Sequence, residues 1–138
     1  MPDPHAPGHY HRPRLLIADD DPVVRSALSM ALESSFDVVA AASDGEGAVA
    51  QAAATRPDAA LVDVEMPGGG GARAVRGIVE VSPETAIVAL SSDESDDVVR
   101  HLVLAGAMAY LRKGLPPAEL AKALKTAISA HRDSRTAG

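Results

Sequence analysis

The sequence predicts an α/β fold with one parallel, five-stranded sheet that is covered by helices on both faces. Short apolar runs alternate strictly with stretches of helical periodicity along the chain. That alternation implies right-handed crossovers, which place the helices over the two faces of the sheet. No segment repeats at a fixed period, and 138 residues with 46% hydrophobic content are enough for one buried core. We therefore expect a single domain.

The strand candidates are short and apolar. In chain order they are RLLIA at 14–18, DVVAAA at 37–42, AALVD at 59–63, AIVALS at 86–91 and MAYLR at 108–112. Four helices between and after them are marked by apolar residues at spacings of three and four. Their stripes are Val24, Ala27, Leu28, Ala31 and Leu32; Val75, Ile78 and Val79; Val98, Val99, Leu102 and Val103; and Leu120, Leu124, Ala127 and Ile128. The second helix, around 46–55, is alanine-rich and is predicted more weakly.

The globular domain is expected to span 14–132. Residues 1–13 hold four prolines and no apolar periodicity, which is typical of a disordered N-terminal tail. The last helix is expected to end near Arg132, which leaves 133–138 as a short C-terminal tail.

Composition excludes several functions. The 13 basic and 19 acidic residues give a net charge of -6, which opposes nucleic-acid binding by this chain alone. There is no cysteine, so a disulfide, a thiolate metal site and a thiol nucleophile are excluded. Two tyrosines and one phenylalanine offer no stacking platform for bases or a flavin ring. No apolar stretch is long enough to span a bilayer, and we expect a cytoplasmic location.

Acidic residues end two of the predicted strands. Asp19 and Asp20 follow the first strand, and Asp63 ends the third. In a doubly wound sheet of the flavodoxin-like order 2-1-3-4-5, these strands are neighbours where ligands bind. Converging carboxylates repel one another unless a cation lies among them, and hard oxygen ligands suit Mg²⁺. An isolated acidic run is more often a solvated turn, and Asp21 before Pro22 fits such a role as a helix N-cap.

The other strand ends carry groups that bind anions. Strand four ends with Ser91 and Ser92, whose hydroxyls can donate hydrogen bonds, and Lys113 follows strand five. Carboxylates for a metal, a hydroxyl and an ammonium at one sheet edge indicate phosphoryl-transfer chemistry.

Together these segments resemble the receiver domain of bacterial two-component response regulators. LLIADDDP is similar to that family's first strand with its acidic pair, and PDAALVDVEMPGGG to its phosphoacceptor strand and loop. IVALSS is similar to its switch strand, and AGAMAYLRKG to its fifth strand with the aromatic residue and the lysine. The resemblance covers about residues 14–131, and four ordered motifs at matching strand ends make it specific.

The resemblance implies an acceptor and a metal site. Asp63 would be the phosphoacceptor, whose carboxylate forms an aspartyl phosphate. Asp19, Asp20 and Asp63, with the backbone carbonyl of Glu65, would hold Mg²⁺.

The resemblance also implies a switch and partners. Ser91 and Lys113 would contact the phosphoryl oxygens, and Tyr110 would turn inward as Ser91 is drawn toward the phosphate. The phosphodonor would be a sensor histidine kinase or a phosphotransfer protein, and the switched surface would bind an unidentified downstream protein. A phosphorylation-dependent homodimer is left open.

Two segments are most similar to receivers that precede a helix-turn-helix output of the LuxR type, namely SPETAIVALSSDES and AYLRKGLPPAEL. No output domain is expected in this chain, which is either a stand-alone receiver or a fragment of a DNA-binding transcriptional regulator. Gly114 stands where the family often has proline. The run Gly68–Gly71 replaces a mixed loop that contains an acidic residue, and predicts a mobile loop.

Glu65 and Asp93 lie two residues past the acceptor and the switch serine, where the family tunes phosphate lifetime. We hypothesise that their charges repel small anionic phosphodonors and so make a protein donor more important. The alternative is that both point into solvent and are screened.

Other functions are weighed against the receiver. A magnesium phosphatase with an aspartyl-phosphate intermediate stays open, because Glu65 lies at the spacing of that class's second acid. A nucleotide or FMN binder is disfavoured, because a phosphate cradle needs glycines and backbone N–H groups at the first turn. A degenerate receiver is disfavoured by the intact Asp63, Ser91 and Lys113. We expect a signalling domain that catalyses only its own phosphorylation and dephosphorylation.

Overall fold

The computed structural model describes residues 12–66, 70–92 and 95–137. The strands are β1 (Arg14–Ala18), β2 (Asp37–Ala42), β3 (Ala59–Asp63), β4 (Ala86–Ser91) and β5 (Ala109–Arg112). The helices are α1 (Pro22–Leu32), α2 (Gly45–Thr55), α3 (Gly70–Val81), α4 (Asp96–Ala105) and α5 (Pro117–Ala137). None of the helices within these ranges is long and apolar enough to cross a membrane. Of the tail predicted as disordered, the residues up to His11 lie outside the described part of the chain.

The strands form one parallel sheet in the order β2-β1-β3-β4-β5. This confirms the predicted fold class and strand order. Ala18 at the end of β1 pairs with Val62 near the end of β3. The residues that follow these two strands therefore meet at the same edge of the sheet.

Core residues lie on both faces of the sheet, because successive residues of a strand point to opposite faces. Leu15 and Ile17 pack with α1 and α5, whereas Leu16 and Ala18 pack with α2, α3 and α4. Strands β3 and β4 are buried along their whole length. The side chains at the ends of these strands are therefore attached to backbone that is fixed by packing on both faces of the sheet.

Helix α2 forms despite its weak apolar pattern. Ala48 and Ala52 are fully buried, so the small side chains allow the helix to lie close to the sheet. Asp44 caps its first turn, where its Oδ1 accepts from the Gly47 N–H at 2.6 Å. Tertiary packing and the cap compensate for the weak periodicity.

Helix α5 is longer than predicted. Its stripe is buried as expected, with Leu120, Leu124, Ala127 and Ile128 in the core. The helix continues past Arg132 to Ala137, through residues predicted as a tail. Arg132 pairs with Asp58 at 3.3 Å, and the Arg135 guanidinium donates to the Pro83 carbonyl at 3.0 Å. These contacts hold the last turns against neighbouring loops.

Two other predictions need correction. In the stripe predicted for α4, Leu102 is buried but Val103 is 56% exposed, so the apolar pattern is wider than the face that packs. Gly70 and Gly71 begin α3 rather than belonging to a mobile loop, while Gly68 and Gly69 lie outside the described residues. A Cβ on Gly71 would lie 2.5 Å from the Val64 Cα, so glycine is needed for this close approach.

Candidate functional site

Three aspartates meet where β1 and β3 end side by side. Asp19 and Asp20 follow β1, and Asp63 is the last residue of β3. One carboxylate oxygen from each lies within 4.8 Å of the others. Asp19 and Asp63 are buried, with exposed fractions of 2% and 1%, whereas Asp20 is exposed. The structure therefore brings together the three carboxylates that the sequence predicts as metal ligands.

Backbone amides two residues further on hold the two buried carboxylates. The Asp21 N–H donates to Asp19 Oδ1 at 2.9 Å, and the Glu65 N–H donates to Asp63 Oδ1 at 3.0 Å. Burial raises the pKa of Asp19, and the negative charge of Asp63 adds to the rise against the Asp21 hydrogen bond. The cluster thus carries negative charge that its surroundings compensate incompletely, and a bound cation would relieve it.

Asp21 has a separate, structural role. Its Oδ1 accepts from the N–H groups of Val23 and Val24, at 2.9 and 3.5 Å, and Pro22 is the first helical residue. The predicted N-cap of α1 is confirmed. Of the three consecutive aspartates, two line the cluster and one starts the helix.

Lys113 supplies positive charge beside Asp63. Strand β5 pairs with β4 up to Arg112 opposite Ser91, and the Lys113 N–H then donates to the Ser91 carbonyl at 3.1 Å. The Lys113 Nζ lies 2.9 Å from Asp63 Oδ1. Burial lowers the pKa of Lys113, but hydrogen bonds to Glu65 and Asp63 and their charges outweigh it, so the pKa is raised. The ammonium therefore stays charged next to Asp63.

Gly114 stands where the family often has proline, and its backbone conformation explains the difference. Its φ is +96°, in the region that favours glycine. Proline is restricted to φ near -65° and cannot adopt this conformation. The turn after Lys113 in this chain thus requires the residue that it has.

The Glu65 carboxylate bridges the ends of β4 and β5. Its Oε2 accepts from Lys113 Nζ at 2.7 Å. Its Oε1 accepts from the Ser91 hydroxyl at 3.2 Å, the Ser92 N–H at 2.9 Å and the Ser92 hydroxyl at 2.6 Å. The hydrogen bonds from Lys113 and Ser92 lower the pKa of Glu65 to about 2. The sequence analysis did not predict this bridge or the hydrogen bond from the Ser92 N–H to Glu65. The one feature of the sequence that pointed to it was the pair of serines at the end of the fourth strand.

Ser91 and Tyr110, the predicted switch residues, lie on adjacent strands. Ser91 ends β4 and is 1% exposed. Tyr110 is paired with Ala89 across the β4–β5 ladder and packs against the core on the α2, α3 and α4 face. Its hydroxyl is shielded from solvent and has no hydrogen-bond partner among the described residues. Asp93, the other predicted rate-tuning residue, lies outside the described residues.

Comparisons with known proteins agree with this arrangement. A family model described as the response regulator receiver domain matches residues 15–125. The chain is 34% identical over 125 residues to the uncharacterized transcriptional regulatory protein YxjL of Bacillus subtilis, covering 89% of this chain and 57% of that protein. It is 36% identical over 116 residues to the oxygen regulatory protein NreC of Staphylococcus epidermidis, covering 82% and 53%. The chain spans about half the length of these curated relatives.

Solved structures show the same fold. The signal receiver domain of the putative response regulator NarL from Mycobacterium tuberculosis superposes with a TM-score of 0.82 at 29% identity, covering 86% of this chain and 98% of that one. A LuxR-family two-component response regulator from Aurantimonas superposes with a TM-score of 0.80 at 29% identity, covering 86% of each. Receiver domains are signalling domains that take phosphate from histidine kinases, and their acidic residues bind Mg²⁺. This chain belongs to the response regulator receiver domain family, close to the receivers of DNA-binding LuxR-family regulators.

Proposed function

We propose that this receiver accepts a phosphoryl group on Asp63 from a sensor histidine kinase or a phosphotransfer protein, in a Mg²⁺-dependent reaction. The observation that carries the proposal is the Lys113 Nζ, 2.9 Å from Asp63 Oδ1, beside acids whose oxygens lie within 4.8 Å. One buried carboxylate thus has both a cation and a set of metal ligands next to it. The cytoplasmic location predicted from the sequence is part of this proposal.

The residues present fit Mg²⁺. Asp19, Asp20 and Asp63 would hold it through side-chain oxygens, and Glu65 through its backbone carbonyl. Carboxylate oxygens are hard ligands, and the exposed Asp20 leaves one side of the cluster open to the waters that Mg²⁺ retains. When bound, the ion would neutralise charge on the transferred phosphoryl group. Burial raises the pKa of Asp19, and the negative charge of Asp63 raises it further.

The chain's own residues position and neutralise, which is most of what phosphoryl transfer requires. An Asp63 oxygen would attack phosphorus, the bond from phosphorus to the donor's histidine nitrogen would break, and the electron pair would leave with that nitrogen. Lys113 would shift from the Asp63 carboxylate to the oxygens of the new aspartyl phosphate. Water would later hydrolyse this product, so the domain catalyses only its own phosphorylation and dephosphorylation.

Ser91 and Tyr110 would report the change to the surface. Ser91 would donate its hydroxyl to the phosphoryl group, and the backbone that follows β4 would move with it. The Tyr110 hydroxyl, buried without a partner among the described residues, supports a ring with more than one packing arrangement of similar energy. Phosphorylation would shift the populations of these states, and a downstream protein or a second copy would bind the favoured one.

The lowered pKa of Glu65 argues against a phosphatase. In such an enzyme a second acid must donate a proton to the leaving group. Hydrogen bonds from Lys113 and Ser92 hold the pKa of Glu65 at about 2, so the carboxyl carries no proton at neutral pH.

A second candidate is the receiver portion of a DNA-binding transcriptional regulator. It is favoured by relatives of about twice the length, one of which is named a transcriptional regulatory protein. The chain's net charge of -6 opposes DNA binding by the receiver itself.

Intact mass after incubation with acetyl phosphate tests the acceptor. An Asp63 oxygen attacks phosphorus, and acetate leaves with the electron pair of the broken P–O bond. We expect a single phosphate adduct that requires Mg²⁺, is lost in Asp63→Ala and persists in Asp37→Ala, a control at the exposed start of β2. An adduct that survives Asp63→Ala would overturn the assignment.

A further inference from the structure

The groups that donate hydrogen bonds to the Glu65 carboxylate are the same groups that would donate to a phosphoryl group on Asp63. Under the proposed function, Lys113 and Ser91 contact the phosphoryl oxygens. In the structure both donate to the Glu65 carboxylate, at 2.7 and 3.2 Å, together with the Ser92 N–H at 2.9 Å. An ammonium, a hydroxyl and a backbone amide therefore converge on one anion beside the acceptor. Two anions cannot both use this set fully.

We propose that the Glu65 carboxylate is an internal anion that occupies the phosphoryl-binding donors of the unphosphorylated receiver and must leave them before a phosphodonor can bind. The inference rests on the proposed function. It also changes how Glu65 acts, because a contact replaces the long-range repulsion expected from the sequence.

Direct contact outweighs repulsion on physical grounds. Repulsion between exposed charges is screened over about 10 Å at 0.1 M salt, whereas partly buried, charge-assisted hydrogen bonds at contact distance are screened much less. The side chains of Glu65 and Lys113 are 40% and 34% exposed, so solvent weakens the pair and an incoming anion can reach it. Glu65 should therefore slow phosphorylation without blocking it.

This competition would make Glu65 a specificity-determining residue. A small phosphodonor brings only its own phosphoryl oxygens to displace the carboxylate. A protein donor adds binding energy from contacts remote from the reacting atoms, and that energy can offset the displacement. The receiver would thus discriminate against small donors such as acetyl phosphate.

Two substitutions separate contact from charge. Glu65→Gln removes the charge, and Glu65→Asp keeps the charge but shortens the side chain, so that it no longer spans Lys113 and Ser92. Glu80→Gln on the exposed face of α3 removes the same charge away from the site and is the matched control. We expect the rate of Asp63 labelling by acetyl phosphate to rise roughly tenfold in Glu65→Gln and about threefold or more in Glu65→Asp. Glu80→Gln should match the wild-type chain.

Rates are compared at Mg²⁺ concentrations that saturate labelling of each variant, with Asp63→Ala in each background as the blank. If only Glu65→Gln is faster, repulsion explains the effect and the proposal is overturned. If neither is faster, Glu65 does not compete and the proposal is overturned as well. If no variant acquires an Asp63-dependent adduct, the inference is overturned, because Glu65→Gln should label readily, whereas the proposed function still stands with a protein phosphodonor.

A measurement on the Mg²⁺-free chain tests the contact independently of phosphorylation. The Ser92 amide donates to Glu65 Oε1, so its ¹H–¹⁵N resonance should shift in both Glu65 variants and stay in place in Glu80→Gln. An unmoved Ser92 resonance in Glu65→Gln would contradict the contact whatever the labelling rates are.

Discussion

The two sides of the site differ in how their charges are compensated. On the acid side, Asp19, Asp20 and Asp63 bring three carboxylates within 4.8 Å, and burial raises the pKa of Asp19. On the donor side, Lys113, Ser91 and Ser92 are already hydrogen-bonded to the Glu65 carboxylate. On the acid side, Lys113 beside Asp63 compensates the negative charge only in part, whereas the donor side holds an anion of its own, the Glu65 carboxylate.

From this difference we expect a cation on the acid side and an anion on the donor side to bind with different energetic consequences. A cation would stabilise the acid side, because it would compensate negative charge that Lys113 compensates only in part. An anion that binds on the donor side must displace the Glu65 carboxylate, so its net binding free energy is less favourable. The proposed sites for metal and for phosphate are adjacent, and at equal concentration the cation should increase the stability of the fold more than the anion does, because the anion binds more weakly.

Removing the lysine should break the donor side and have the largest effect. Lys113→Gln leaves Asp63 and Glu65 without the ammonium now at 2.9 and 2.7 Å, and the transferred phosphoryl charge loses its partner. We expect acetyl-phosphate labelling, followed by intact mass, to slow at least about 100-fold. Lys122→Gln on the exposed face of α5 should keep the wild-type rate. A loss of only a few-fold would place Lys113 outside the phosphoryl-transfer machinery.

The two serines of the donor side should differ in their effect on the labelling rate. Both hydroxyls donate to Glu65 Oε1, but Ser91 is buried at the end of β4 and Ser92 is exposed. We expect Ser91→Ala to lower the labelling rate about tenfold, because a donor to the phosphoryl group is lost. Ser92→Ala should stay within about twofold of wild type, since the remaining contacts to Glu65 persist. Equal losses in the two variants would contradict the assigned roles.

Neutralising one carboxylate should relieve the acid side. Asp19→Asn keeps an oxygen that can accept from the Asp21 amide while removing a charge that burial and Asp63 make unfavourable. We expect the melting temperature of the Mg²⁺-free protein to rise roughly 3 °C, equivalent to about 1 kcal/mol. Added Mg²⁺ should then stabilise the wild-type chain but not the variant. Thermal unfolding with and without EDTA checks both, with Asp37→Asn as the control, and a lower melting temperature without Mg²⁺ would refute the uncompensated charge.

The smallest effect is expected at Tyr110. Its hydroxyl is buried with no partner in the described part of the chain, so Tyr110→Phe removes a polar group that gains nothing there. We expect the free energy of unfolding in urea to rise by up to about 1 kcal/mol. A clear loss of stability would show that the hydroxyl is hydrogen-bonded in solution.

Apolar periodicity predicted the helices better than it predicted their packing. The stripe on α5 is entirely buried, while α4 carries an equally regular stripe with Val103 56% exposed. Periodicity reports which side chains share a face, and it does not report how much of that face the sheet covers. The extension of α5 to Ala137 was missed for a related reason, since Arg132 and Arg135 bond to residues far away in the chain.

The strands and their parallel arrangement follow from the sequence, and so do the groups that meet at one edge of the sheet. Local apolar pattern sets where each strand ends, and a parallel sheet brings those ends together. Asp19, Asp63 and Lys113 were predictable because they directly follow or end strands. The hydrogen bonds among these groups could not be predicted in the same way, because they depend on contacts between distant parts of the chain. Glu65 reaches Lys113 across 48 positions of sequence and Ser92 across 27, and such distances depend on how β3, β4 and β5 are stacked against the helices rather than on any local pattern.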